Sequence, residues 1–171
     1  MKMMKLCLVV AFVAILSGCA GKEFVRSDNS SLQLGKTTID EIRSNFGKPD
    51  YESTDTLNDQ EITNLMYASS GGAFSTKIQY SRALSLFFWK GMLVSHVFNS
   101  SYEEDTSIFD ASKRTQIVKG KTTRDEVIKL LGKPSGYGIY PYIKDKTGHV
   151  LVFAYYTRLH LRIPGTSCLD T

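Results

Sequence analysis

Lysine and arginine nowhere cluster in this sequence, cysteine is scarce, and no hydrophobic run is long enough to cross a bilayer as a helix. The 171 residues carry 21 Lys and Arg against 17 Asp and Glu. That small surplus, spread along the chain, excludes the dense basic surface of a nucleic-acid-binding protein. The longest apolar run, from Leu6 to Leu16, is about eleven residues, well short of the roughly 20 that a spanning helix needs. Cys7, Cys19 and Cys168 form no Cys-x-x-Cys pair, and His96, His149 and His160 lack the i, i+4 spacing of zinc ligands, so no metal site is expected. No Gly-x-Ser-x-Gly elbow occurs. The acidic pairs Asp40-Glu41, Glu103-Glu104 and Asp125-Glu126 are adjacent residues at helix starts or in a linker, where the helix dipole accounts for most of them. Nothing here supports catalysis, and neither an enzyme, a small-molecule substrate nor a soluble cofactor is expected.

What is present begins at the N-terminus. Lys2 and Lys5 precede the apolar run, which is the pattern of a secretory signal peptide. Leu16-Ser17-Gly18-Cys19 then resembles the lipobox of bacterial lipoprotein precursors. The resemblance implies cleavage before Cys19 and a covalent diacylglycerol and acyl lipid on its thiol, each buried methylene contributing about 0.8 kcal/mol to membrane attachment. Ala20, where sorting rules of this family place Asp for inner-membrane retention, implies the inner leaflet of the outer membrane, facing the periplasm. Loss of residues 1–18 removes two lysines and no acid, lowering the formal charge from +4 to about +2. With Cys7 cleaved off and Cys19 lipidated, Cys168 stands alone and no internal disulfide is expected.

The mature chain contains an internal repeat. Gly35-Lys-Thr-Thr-Ile-Asp-Glu-Ile-Arg-Ser-Asn-Phe-Gly-Lys-Pro49 and Gly120-Lys-Thr-Thr-Arg-Asp-Glu-Val-Ile-Lys-Leu-Leu-Gly-Lys-Pro134 agree at nine of fifteen positions, at a constant offset of 85. Such self-similarity signals duplication of one structural unit. Thr38 with Glu41, and Thr123 with Glu126, have capping-box spacing and predict two helix starts. Gly47 and Gly132 fit a left-handed helix end, and Pro49 and Pro134 stop the helix. Ile39, Ile42 and Phe46 form one apolar stripe, and Val127, Leu130 and Leu131 the other. The Gly-Lys-Thr-Thr runs superficially suggest a phosphate-binding loop, but the Gly needed five positions earlier is replaced by Ser30 and Thr115.

Helices this short need a partner. Residues 62–68, 83–89 and 92–98, with Lys90-Gly91 as a hairpin turn, and then 137–143 and 150–156, read as strands. The predicted fold class is α+β: two tandem units, each with short helices packed on a small antiparallel sheet. Residues 1–18 are the signal peptide, 19–31 a tether, 32–101 the first unit, 102–116 a linker, and 117–171 a second, incomplete unit. On the 85-residue offset the counterpart of Ser101 would be 186, past Thr171. The second unit is therefore expected to lack its last hairpin and to offer a sheet edge near 150–156 to a partner strand.

The pattern Gly-x-Thr-x-x-[Asp/Glu]-[Ile/Val]-x-x-x-[Phe/Leu]-Gly-x-Pro resembles the SmpA/OmlA family of outer-membrane lipoproteins, and its tandem arrangement is similar to that of the β-lactamase-inhibitory proteins. The first resemblance implies a lipid-anchored, periplasm-facing adaptor or scaffold in outer-membrane protein assembly or envelope integrity, with an envelope protein as partner. The second implies a binding inhibitor of an envelope or extracellular enzyme. Gly35, Thr38, Glu41, Gly47 and Pro49, like Gly120, Thr123, Glu126, Gly132 and Pro134, carry over as structural positions with no catalytic role. The cluster Tyr140, Tyr142, Tyr155, Tyr156 serves either sheet packing or binding.

Overall fold

The computed structural model describes residues 31–71, 80–105 and 110–154. The signal peptide, the lipobox Leu16 to Cys19, Tyr155, Tyr156, His160 and Cys168 lie outside them. Helix α1 (Ile39–Phe46) is followed by β1 (Tyr51–Leu57), β2 (Gln60–Gly71), β3 (Tyr80–Trp89) and β4 (Met92–Ser100). Two 3-10 turns (Glu103–Asp105 and Ala111–Gln116) lead to α2 (Arg124–Leu131), β5 (Gly136–Gly138) and β6 (Val150–Val152). All six strands join one antiparallel meander in chain order, so the fold is α+β and mostly sheet.

Both helices start and stop as their sequences dictate. The Thr38 hydroxyl accepts from the Glu41 N–H at 3.2 Å while the Glu41 carboxylate accepts from the Thr38 N–H at 2.7 Å. Thr123 and Glu126 repeat this at 3.3 and 2.7 Å. Each such exchange satisfies two of the donors a helix start leaves open. The helices end on Gly47 (φ 80°, ψ −153°) and Gly132 (φ 87°, ψ −161°). These φ values are positive, as expected, but the ψ values are extended rather than left-handed helical, a combination essentially restricted to glycine. The correspondence extends upstream, where Gln33 N–H donates to Thr37 Oγ1 at 2.9 Å and Val118 N–H to Thr122 Oγ1 at 2.8 Å.

The core lies between α1 and one face of the sheet. Ile42 from the helix, Leu32 from the preceding segment, and Leu65, Tyr67, Leu84, Leu86, Phe88, Leu93 and Phe98 from β2, β3 and β4 form one buried cluster. Each fully buried Leu or Phe side chain contributes about 1.5–3 kcal/mol. Phe46 packs on Tyr67 with ring centroids 5.4 Å apart, and the Tyr67 hydroxyl donates to the Gly47 carbonyl at 3.0 Å. Burial of this phenol raises its pKa. In α2 only Leu131 is buried, and that helix packs against the second 3-10 turn.

Several strand expectations change. The strands of the two sequence segments do not make two small sheets, because β5 pairs with β4 through Val97–Gly136, His96–Tyr137 and Ser95–Gly138. Strand β1 was not anticipated. Its residues are nearly all exposed, so it lacks an alternating apolar signal, and only the Asn58-Asp59 turn (φ 50° and 62°) marks the hairpin. Lys90-Gly91 (φ 49° and 78°) forms the expected turn. The strand expected over 137–143 is limited to Gly136–Gly138, since the chain turns away from the sheet at Ile139. That expected over 150–156 is limited to Val150–Val152.

The segment after β4 is not a loose connection. Arg82, on the core face of β3, donates from Nε to Asp105 Oδ2 at 2.7 Å and from Nη2 to Glu104 at 3.1 Å. Its guanidinium lies 4.0 Å from the Tyr102 ring centroid. Ser100 Oγ donates to the same Asp105 oxygen. Arg82 and Asp105 side chains are 8% and 7% exposed, so neither charge is supported by water.

Two predictions follow from these contacts. Arg82→Ala leaves Asp105 buried without its cation and should lower the unfolding free energy in urea by about 3–5 kcal/mol, whereas the combined Arg82→Met, Asp105→Leu variant should recover most of the loss. Glu41 and Glu126 are held below their ordinary carboxylate value of 4.5 by the backbone N–H, then the hydroxyl, of Thr38 and Thr123. A depressed folded-state pKa gives stability that is present above the unfolded value and lost as pH falls through the folded one. The stabilisation from these caps should therefore be fully present and independent of pH near neutrality and decline below pH 4.5, and carboxyl carbon NMR titration should place both midpoints under that value.

Candidate functional site

A cleft of about 490 Å3 opens on the core face of the sheet beyond the buried cluster, lined by Leu32, Leu34, His96, Arg124, Tyr137, His149, Val150 and Leu151. Its parts come from five places in the chain. Leu32 and Leu34 precede the first repeat, His96 lies in β4, Arg124 opens α2, Tyr137 lies in β5, and His149 leads into Val150 and Leu151 of β6. The size lies within the range of ordinary ligand-binding clefts.

Register explains why these residues meet. His96 pairs with Leu86 on one side and Tyr137 on the other, and Tyr137 pairs with Leu151. Cross-strand partners share a face, so the row Leu65, Leu86, His96, Tyr137, Leu151 runs from the apolar core into the cleft. The His96 and Tyr137 rings lie 5.6 Å apart, and the Arg124 guanidinium stands 5.8 Å from the Tyr137 ring centroid. His96 is buried at 5% exposure. The capping box of Thr123 and Glu126 fixes the turn from which Arg124 projects.

Close backbone approach holds β5 in place. A Cβ at Gly136 would lie 2.0 Å from the His96 carbonyl oxygen, and one at Gly138 would lie 2.7 Å from the Tyr142 ring. Ser95 Oγ donates to the Tyr137 carbonyl at 2.9 Å. On the opposite face, residues 140–142 fold back over the sheet. Tyr142 packs on Phe87 at 4.9 Å and Tyr140 meets Trp89 edge-on at 5.8 Å. The Pro141 carbonyl accepts from Asn58 Nδ2 at 2.9 Å. Tyr140 and Tyr142 thus pack on the sheet.

The cleft offers two imidazoles, a phenol and a guanidinium against apolar walls, and among the described residues its lining includes no carboxylate, thiol or serine. Among the described residues, no three His, Cys, Asp or Glu side chains come together as metal ligands, and no helix is long and apolar enough to cross a membrane. The arrangement suits recognition of a group with apolar bulk and negative charge. Of the motif residues, Gly35, Thr38, Glu41, Gly47 and Pro49 shape the ends of α1, and Gly120, Thr123, Glu126, Gly132 and Pro134 those of α2. None of these ten lines the cleft. His96 and His149 line it together although 53 positions separate them, a juxtaposition created by strand pairing that periodicity does not encode.

Gly136→Ala should force β5 away from β4, costing about 1–3 kcal/mol by overpacking. Hydrogen exchange should then show faster opening of β5 and β6 while β1 to β3 keep their protection.

In comparisons with known proteins, the chain matches no family model, no curated protein and no solved structure.

Proposed function

We propose that this chain is the precursor of a lipid-anchored adaptor that faces the periplasm and holds a polypeptide partner of the bacterial envelope. The anchor reading rests on the charged start, the short apolar run and Leu16-Ser17-Gly18-Cys19. The adaptor reading is carried by one structural observation: a cleft of about 490 Å3 joins the core face to the last described strand, with apolar walls, Arg124 and two histidines. A partner segment with apolar side chains and an acidic group matches that lining. Its role in outer-membrane protein assembly or envelope integrity follows from the SmpA/OmlA resemblance, with no enzymatic activity.

The same proposal accounts for the repeat. Two copies of a helix-and-strand unit arose by duplication, and the second copy adds its strands to the sheet of the first. Matching capping boxes and matching Gln33–Thr37 and Val118–Thr122 bonds support this. The inhibitor reading calls for an exposed aromatic surface, and the packing of Tyr140 and Tyr142 on Trp89 and Phe87 favours the adaptor.

The test combines fractionation with crosslinking of the full-length chain. Cys19→Ala should move the protein from the membrane to the soluble envelope fraction, and mass spectrometry of the wild-type N-terminal peptide should find acylated Cys19. A photocrosslinker at position 149 should capture one reproducible envelope protein, and Leu151→Glu should reduce that capture about tenfold, the equivalent of 1.4 kcal/mol. An unlipidated soluble product rules out the anchor, and capture unaffected by Leu151→Glu rules out the cleft.

A further inference from the structure

Strand β1 is an edge of the sheet, and among the described residues no strand pairs with its outer side. Such an edge presents a row of open backbone donors and acceptors, which proteins usually blunt with proline, lysine or a bulge. Strand β1 has none of these. It reads Tyr51-Glu-Ser-Thr-Asp-Thr-Leu57, and its pairs with β2 run without a shift from Tyr51–Met66 to Leu57–Gln60. Two of the three large apolar side chains exposed among the described residues are its ends, Tyr51 at 54% and Leu57 at 37%.

Those ends stand three positions to either side of Thr54, so the strand is complementary to itself. Laid antiparallel against a second copy about Thr54, it sets Tyr51 opposite Leu57 twice, Glu52 opposite Thr56, Ser53 opposite Asp55, and Thr54 opposite Thr54. An aromatic ring against an aliphatic side chain and hydroxyl against hydroxyl are favourable cross-strand pairs, and no like charges stand directly opposite. The two Asp55 carboxylates meet only on a diagonal of about 7–8 Å, where salt screens them. Any other register separates Tyr51 from Leu57.

The face on which these side chains lie gives a second, independent reason. Successive strand residues point to opposite faces, and Glu52 pairs with Leu65 of the core. Tyr51, Ser53, Asp55 and Leu57 therefore lie on the other face, where a cavity of about 490 Å3 is lined by Asp55, Leu57, Ile62, Asn64, Phe87 and Tyr142. The pairing brings Tyr51 of the second copy opposite Leu57 and diagonal to Asp55, beside two residues of that wall. Its ring suits the apolar side chains of Leu57, Ile62 and Phe87, and its hydroxyl has an acceptor in the Asp55 carboxylate. Asp55 Oδ2 accepts from Ser53 Oγ at 3.2 Å, which leaves further lone pairs for a phenol.

We infer that two copies of this chain associate through β1 in an antiparallel, two-fold pairing centred on Thr54, which joins their sheets and seats Tyr51 of each copy in the cavity of the other. A two-fold contact uses the same surface on both copies and closes at two. One strand pair with two seated rings lies at the low end of interface sizes, so a dissociation constant between about 1 μM and 1 mM is expected. The cleft of the proposed adaptor lies on the other face of the sheet, so either reading stands if the other fails.

The test uses the full-length protein in zwitterionic micelles, with micelles in excess of chains. Sedimentation should show a monomer–dimer equilibrium in that range. Tyr51→Asp, which removes the apolar pair and sets a carboxylate diagonal to Asp55 of the other copy, should weaken association at least about tenfold. The unfolding midpoint of the monomer should not fall, because Tyr51 is exposed, and Tyr51→Phe should still associate. In a Cys7→Ser, Cys168→Ser background, Thr54→Cys should link to its counterpart on mild oxidation, since directly opposed strand residues meet disulfide geometry. Ser53→Cys, whose counterpart is diagonal, should link about tenfold more slowly, with mass spectrometry of the linked peptide identifying the position. In mixed-label samples, isotope-filtered NOEs should run from the Tyr51 ring of one copy to Leu57 and Phe87 of the other. A monomer at about 1 mM overturns the proposal, as does a dimer that Tyr51→Asp leaves unchanged. Faster linking at position 53 than at 54, or a dimer without those NOEs, overturns it as well.

Discussion

The structure depends on how the outer edge of β4 is satisfied. One edge of this strand pairs with β3, and the other would present a row of open backbone donors and acceptors at the middle of the molecule. Two separate stretches close it. Near its start, Leu93 accepts from Gly35 N–H and donates to the Thr37 carbonyl, both at 2.8 Å; further along, Val94 accepts from Ile139 N–H at 2.9 Å and Phe98 donates to Ser135 at 2.8 Å. Between them run the pairs with β5. Buried backbone groups are almost always paired, and β4 is buried along nearly all of its length. The segments flanking the two helical motifs thus meet on one strand, and that meeting extends a four-stranded meander into six strands and creates the cleft.

Close approach on that edge explains a residue choice that hydrophobic patterning would not suggest. The Gly-Tyr-Gly of β5 places glycine where a side chain would strike the His96 backbone or the Tyr142 ring, leaving Tyr137 as the one side chain of that strand, in the cleft beside His96. The vacated space on the other face is taken by Tyr142 over Phe87. Each face therefore acquires a cavity, and the two differ in chemistry. The cleft is lined by Arg124 and two histidines among others, and the opposite cavity by Asp55, Asn64, Phe87 and Tyr142 among others. The buried Arg82–Asp105 pair works at the far end of the sheet, where it fastens the outgoing chain to β3.

Legibility in the sequence followed the range of the interactions. Both helices were readable because Thr38 with Glu41, Thr123 with Glu126, and the glycines at 47 and 132 act within a few residues of one another. The three strands β2, β3 and β4 were readable from their apolar and aromatic content, and Lys90-Gly91 from its turn chemistry. Strand β1 was not, since an exposed edge strand needs no apolar alternation. Nor was the short extent of β5, because leaving the sheet at Ile139 depends on the fit of Tyr140 and Tyr142 against Trp89 and Phe87. Neither cavity was readable: His96 and His149 are 53 positions apart, and their meeting depends on strand pairing.

By itself the sequence determined the helix boundaries, the central strands and the small net charge, because each rests on local chemistry or composition. Only the tertiary structure decided that the strands form one sheet, that β4 receives partners from both motif regions, and that each face carries its own cavity. Those outcomes depend on backbone pairing and steric fit between residues far apart in the chain, as in the bond between Asn58 and Pro141, 83 positions apart, and pairing of that kind leaves no periodic trace in the order of amino acids.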